Sequence, residues 1–89
     1  MDELEREFGI KEEFGWRGLF TRQQAQGAWL NGARVIKVVS EEGDGHQNGS
    51  EGKVLGSIRT PETGIGYFIE WDDDPKVAVF TMQIKLERI

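Results

Sequence analysis

Hydrophobic and polar positions alternate with a period of two in the second half of the chain. Tyr67, Ile69 and Trp71 are separated by residues that point to the opposite side, and residues 77–80 repeat the alternation. Such spacing of β-branched and aromatic residues is typical of half-buried strands. The intervening segment 72–75 holds three aspartates and a proline, which favour a turn. These residues predict a β-hairpin around which the other strands are arranged.

Three further segments have the composition of short strands. They are residues 33–40, 53–59 and 83–89. A long polar loop, residues 41–49, joins the first two, and a turn at 60–64 leads into the hairpin. Five short strands joined by glycine-containing turns are typical of a small β-barrel or sandwich.

The N-terminal third has a different pattern. Residues 1–14 have apolar side chains at roughly helical spacing, which predicts a short amphipathic helix or an unstructured start. In the aromatic segment 14–20, two glycines lead us to expect no regular element. Thr21 and Gln24 match a capping box, which predicts a helix of two turns over residues 21–29.

Four segments of the chain carry a pattern that extends beyond single strands. They are Gly32-Ala33-Arg34-Val35, Glu51-Gly52-Lys53-Val54-Leu55-Gly56, Tyr67-Phe68-Ile69-Glu70-Trp71, and the closing Leu86 and Ile89. The pattern resembles the Src-homology-three-like (SH3-like) small β-barrels, which include Tudor-like and KOW-type modules. The resemblance implies a mostly β fold, with a five-stranded SH3-like barrel over residues 32–89. Residues 1–31 would form a short helical N-terminal extension, packed on or flanking the barrel.

Composition limits the classes of partner. The chain has 89 residues, the length of one domain, and a formal net charge of −5. An acidic chain is repelled by a phosphate backbone, which disfavours nucleic acid. It has no cysteine, so disulfides and thiolate metal sites are excluded. With no signal peptide or long apolar run in view, we expect a cytoplasmic protein that does not enter a membrane.

The candidate chemistry of the loops is weak. Residues 41–46 bring together carboxylates and the one histidine, but they lack the spacing of an EF-hand. A single histidine with scattered carboxylates is a poor transition-metal set. The serines stand in no nucleophile-elbow context, and no glycine-rich phosphate loop occurs. We expect no metal, no cofactor and no enzymatic activity.

The aromatic residues of the hairpin leave two readings open. Tyr67 and Trp71 share one face of the central strand, and Phe68 and Phe80 share the other. One set must form the core. The other set is either covered by aromatics of the N-terminal third or exposed as an interaction patch.

The leading prediction is a non-catalytic protein-interaction module or small accessory subunit whose partner is another protein. The predicted contact surface combines loop 41–50 with turn 60–64, a placement that the resemblance implies. Its predicted binding residues are Glu41, Glu42, Asp44 and His46, joined by Tyr67 and Trp71 if these are exposed. One alternative is an RNA- or DNA-binding barrel that uses Arg34, Lys53 and Arg59. A second alternative is a non-catalytic subunit of a multi-subunit enzyme, since the resemblance includes such subunits.

Overall fold

A computed structural model describes residues 15–62 and 64–89, so the helix predicted over residues 1–14 lies outside the described residues. Five antiparallel strands form one sheet in the order β4-β3-β2-β1-β5. The strands are β1 (Arg34–Lys37), β2 (Glu51–Thr60), β3 (Gly64–Trp71), β4 (Val79–Met82) and β5 (Leu86–Arg88), with a 3-10 helix at Gln83–Lys85. This confirms the mostly β prediction, but the sheet is not closed, and the barrel stays a prediction.

The core lies on one face of the central strand β3. Tyr67, Ile69 and Trp71 are each fully buried, as the alternation predicted. They pack with Val35, Val54 and Leu86 of the neighbouring strands. The tyrosine and tryptophan are therefore the set that forms the core.

The predicted hairpin is β3–β4, with Phe68 opposite Phe80 in its register. The returning strand begins at Val79, later than the predicted residue 77. At Lys76 the backbone has a positive φ of 69°, and its N–H donates to the Glu70 carboxylate at 2.8 Å. The chain therefore turns for longer than the sequence pattern predicted.

The helix of the N-terminal third occupies residues 15–21, and the prediction over 21–29 is wrong. The expectation of no regular element in residues 15–20 is wrong as well. After the helix the chain is held by a long-range partner, because Ser57 donates its N–H to Gln23 O and its hydroxyl accepts from Ala25 N–H. These bonds to β2 replace the local bonds of the predicted helix.

The last turn of the helix approaches β2 at a position without a side chain. A Cβ added at Gly56 would lie 1.9 Å from Phe20 O. The Phe20 ring then contacts Phe68, with centroids 4.8 Å apart, and Phe68 contacts Phe80 at 5.1 Å. An aromatic residue of the N-terminal third thus covers Phe68, which is the first of the two alternatives left open by the sequence, while Phe80 stays 41% exposed. No helix in the described part of the chain is long and apolar enough to span a membrane.

Candidate functional site

The loop between β1 and β2 is held by one of its own carboxylates. Asp44 accepts hydrogen bonds from Glu41 N–H at 3.0 Å and from Lys85 Nζ at 2.9 Å. The ammonium group of Lys37 lies 3.3 Å away. The hydrogen bond from the Glu41 N–H, and to a smaller extent that from Lys85, holds the pKa of Asp44 well below its usual range. Asp44 therefore stabilises the loop instead of offering its carboxylate to a partner.

His46 is a packing residue. It is 9% exposed, and its ring stacks on Trp71 with centroids 4.8 Å apart. Its carbonyl accepts from the buried Lys37 Nζ at 3.2 Å and from Ser40 Oγ at 2.7 Å. Its Nδ1 lies 3.3 Å from Asp73 Oδ1 without forming a hydrogen bond. These contacts take His46 out of the predicted contact surface.

The rest of the predicted contact surface is not continuous. Tyr67 and Trp71 are fully buried, so the condition on which they were included is not met. Loop 41–50 ends just before the first residue of β2, and turn 60–64 begins at its last residue, which places them at opposite ends of a ten-residue strand. Of the predicted loop acids, the side chains of Glu41 and Glu42 are exposed. Glu41 also lies 3.3 Å from Lys85 Nζ.

Two of the three cations predicted for the nucleic-acid alternative are neighbours. Arg34 of β1 stands directly opposite Lys53 of β2. The Arg34 guanidinium donates to both carboxylate oxygens of Asp72, which raises the pKa of Arg34 and lowers that of Asp72. Arg59 is further along β2, and its guanidinium donates to Gln26 O at 3.0 Å. The structure therefore brings together a pair of cations instead of a stripe of three.

An ion pair that the sequence reasoning missed joins the helix to β3. The guanidinium of Arg17 donates to the two carboxylate oxygens of Glu70 at 2.8 and 2.7 Å. Glu70 is 8% exposed, and the hydrogen bonds from Arg17 are the main reason why its pKa falls to about 2. The signal in the sequence was a glutamate inside an otherwise apolar strand, because a buried carboxylate needs a paired cation.

The segment 28–31 is fixed in place by side-chain hydrogen bonds. The Trp29 ring stacks on the Tyr67 ring, with centroids 4.9 Å apart and an interplanar angle of 16°. The backbone N–H of Trp29 donates to the Tyr67 hydroxyl. The side-chain amide of Gln24 bonds to the backbone on either side of Leu30: it donates to Trp29 O and accepts from Asn31 N–H. Between these anchors, the Leu30 side chain is 71% exposed. A leucine is thus held in solvent on a segment with little freedom to move it.

An open groove of about 550 Å³ lies beside this segment. Its walls come from the segment itself, the residue before β1 and the end of β5, and the lining residues are Ala28, Trp29, Leu30, Asn31, Ala33 and Arg88. Arg88 is exposed and forms no ion pair with another described residue. The groove therefore combines apolar walls with one cation, a composition suited to binding and lacking a nucleophile.

Comparison of the chain with protein-family models, curated proteins and solved structures finds no match. Within residues 15–62 and 64–89, no group of three or more histidines, aspartates or glutamates could hold a metal ion. The described residues thus offer two candidate binding features: the groove with segment 28–31, and the pair Arg34 and Lys53.

Proposed function

We propose that this chain is a non-catalytic protein-interaction module built on an SH3-like barrel. Three features support the barrel. The first strand lies between the second and the last in the sheet, a long loop follows β1, and a 3-10 helix precedes β5.

The observation that carries the proposed function is the fixed, exposed Leu30 beside the groove. Hydrogen bonds hold the backbone of segment 28–31 before binding, so a partner that covers Leu30 need not order that backbone. Burying a leucine contributes about 1.5–3 kcal/mol. Concave surfaces with apolar walls and a few polar groups are typical of binding sites. The proposed contact surface is therefore segment 28–31 with the groove, in place of loop 41–50.

A pull-down from host lysate with the tagged full chain, at low and at high salt, tests this function. Both protein and nucleic acid are analysed. Wild type should recover one protein at equal stoichiometry in both salts, and Leu30→Ser should lose it. Val77→Ser, at an exposed apolar position outside the groove, should keep it. Equal recovery by all three proteins, or no recovered protein, contradicts the proposal. If the recovered protein is an enzyme, the chain is an accessory subunit of it.

The register of Arg34 against Lys53 favours nucleic acid as a second candidate. Like charges directly opposite in a sheet are destabilising, so this pair is an unusual arrangement in an acidic chain. The same pull-down distinguishes it, because phosphate contacts weaken steeply with salt. Nucleic acid recovered at low salt alone, and lost with Lys53→Glu, would support this candidate. Nucleic acid recovered equally by wild type and Lys53→Glu would reject it.

A further inference from the structure

We infer that the partner binds as an extended strand along the free edge of β5, and that it carries a carboxylate opposite Arg88. The inference rests on the proposed function and specifies how the partner binds. β5 is the last strand of the sheet, with β1 on one side and no described strand on the other. A strand edge of this kind is a template for an added strand.

The register shows which backbone groups of β5 face outward. Ile89 donates its N–H to Arg34 O at 2.9 Å, so these two residues form a hydrogen-bonded pair. Hydrogen-bonded and non-hydrogen-bonded pairs alternate along an antiparallel ladder. The next pair, Arg88 opposite Val35, is therefore non-hydrogen-bonded, and the N–H and C=O of Arg88 point away from β1. Neither group bonds to another described residue.

The same residue lines the groove. Arg88 lines the groove together with the apolar residues Trp29 and Leu30. A strand bonded to the backbone of Arg88 would place alternate side chains over this groove, because side chains of a strand alternate between faces. Arg88 is a cation with no partner among the described residues, in a chain of net charge −5. Charge complementarity therefore selects a segment with apolar residues and an acidic residue.

A second copy of the chain fits this edge poorly. In an antiparallel pair with two-fold symmetry, one residue of β5 lies opposite its own equivalent. Within Leu86–Arg88, two of the three such registers set Glu87 opposite Glu87 or Arg88 opposite Arg88. The third, Leu86 opposite Leu86, would need the Leu86 N–H, which already donates to Gln83 O. Like charges directly opposite are destabilising. The edge thus disfavours self-association and leaves the position to a different protein.

The test titrates the ¹⁵N-labelled full chain with two synthetic peptides. Both alternate valine with threonine, and one has a central aspartate where the other has a central lysine. The aspartate peptide should shift the Arg88 amide and the Trp29 indole, and it should slow hydrogen exchange of the Arg88 amide. Arg88→Glu should weaken the aspartate peptide about tenfold and reverse the preference between peptides. Arg22→Glu, which makes the same change in net charge at an exposed position outside the groove, should leave the preference unchanged.

A third peptide tests the backbone pairing. N-methylation of the aspartate peptide on the edge that faces β5 removes its donors and should abolish binding. Several results would overturn the inference: no shift with either peptide, shifts away from β5, unaltered preference in Arg88→Glu, or self-association through β5. If a partner from lysate requires Leu30 but is indifferent to Arg88→Glu, the proposed function stands and the strand pairing falls.

Discussion

Replacing Arg17 by alanine removes the cation that holds helix 15–21 on β3. The variant loses both hydrogen bonds from Arg17 to the Glu70 carboxylate. Glu70 is only 8% exposed, and it keeps the hydrogen bond from the Lys76 N–H. Hydrogen bonds to charged groups contribute about 1.5–3 kcal/mol. The fall in the pKa of Glu70 from 4.5 to about 2 corresponds to roughly 3 kcal/mol as an upper bound.

The ion pair is partly exposed, because the Arg17 side chain keeps 23% of its surface accessible. Solvent screening lowers the contribution of such a pair. We therefore expect Arg17→Ala to lower the free energy of unfolding by about 2 kcal/mol at neutral pH. The exposed Arg22→Ala is the matched control, and its effect should stay within about 0.5 kcal/mol.

The loss should depend on pH with a definite sign. Because the folded-state pKa of Glu70 lies below its unfolded value, the stabilisation is complete above about pH 4.5 and fades as the pH falls towards about 2. The effect of Arg17→Ala should shrink over the same range. Urea unfolding followed by tryptophan fluorescence, at pH 7 and at about pH 3, measures it. An equal loss of unfolding free energy at both pH values would refute the reasoning. So would a coupling energy between Arg17 and Glu70 under about 0.5 kcal/mol in a double-mutant cycle with Arg17→Ala and Glu70→Gln.

Three other substitutions test further contacts by the same unfolding assay. Gly56→Ala should destabilise the fold by about 1–3 kcal/mol, because its Cβ would meet Phe20 O; an unchanged midpoint would count against the close approach. A Cβ added at Gly66 would lie 2.0 Å from Cζ of Phe80. Gly66→Ala should therefore be destabilising in wild type and nearly neutral in the Phe80→Ala background, where the ring is absent. Asp44→Asn should destabilise the loop above about pH 4, and its effect should fade as the pH falls below that value, because the hydrogen bonds that lower the pKa of Asp44 stabilise its ionised form; a loss independent of pH would exclude that role.

The sheet was largely predictable because its signals are local. The alternation of Tyr67, Ile69 and Trp71 follows from the pleat of a strand with one buried face. The five strands were all predicted, and their bounds differed by a few residues where turns intervene. The first strand, for example, ends at Lys37, after which two successive N–H groups both donate to Lys85 O.

The helix and the site were not predictable from local patterns. Thr21 and Gln24 match a capping box, but the Gln24 side chain instead binds Trp29 O and Asn31 N–H. That choice depends on Ser57, which is more than thirty residues away and holds the intervening backbone. Sequence spacing carries no information on such long-range contacts.

The role of Asp44 in the acidic loop also depends on contacts that the sequence does not show. Carboxylates in a glycine-rich loop suggest a solvated surface, and Asp44 has that appearance. In the fold it faces Lys37 and Lys85, which lie on β1 and in the 3-10 helix. The exposed Leu30 was overlooked because a single surface leucine is ordinary in a sequence, and only its fixed backbone makes it significant.

The most direct test of the proposed interaction surface is a hydrogen-exchange footprint of the full chain with and without the protein recovered by pull-down. The account predicts slowed exchange in segment 28–31 and at Arg88, with loop 41–50 unchanged. Protection confined to loop 41–50, or to the neighbourhood of Arg34 and Lys53, would contradict it.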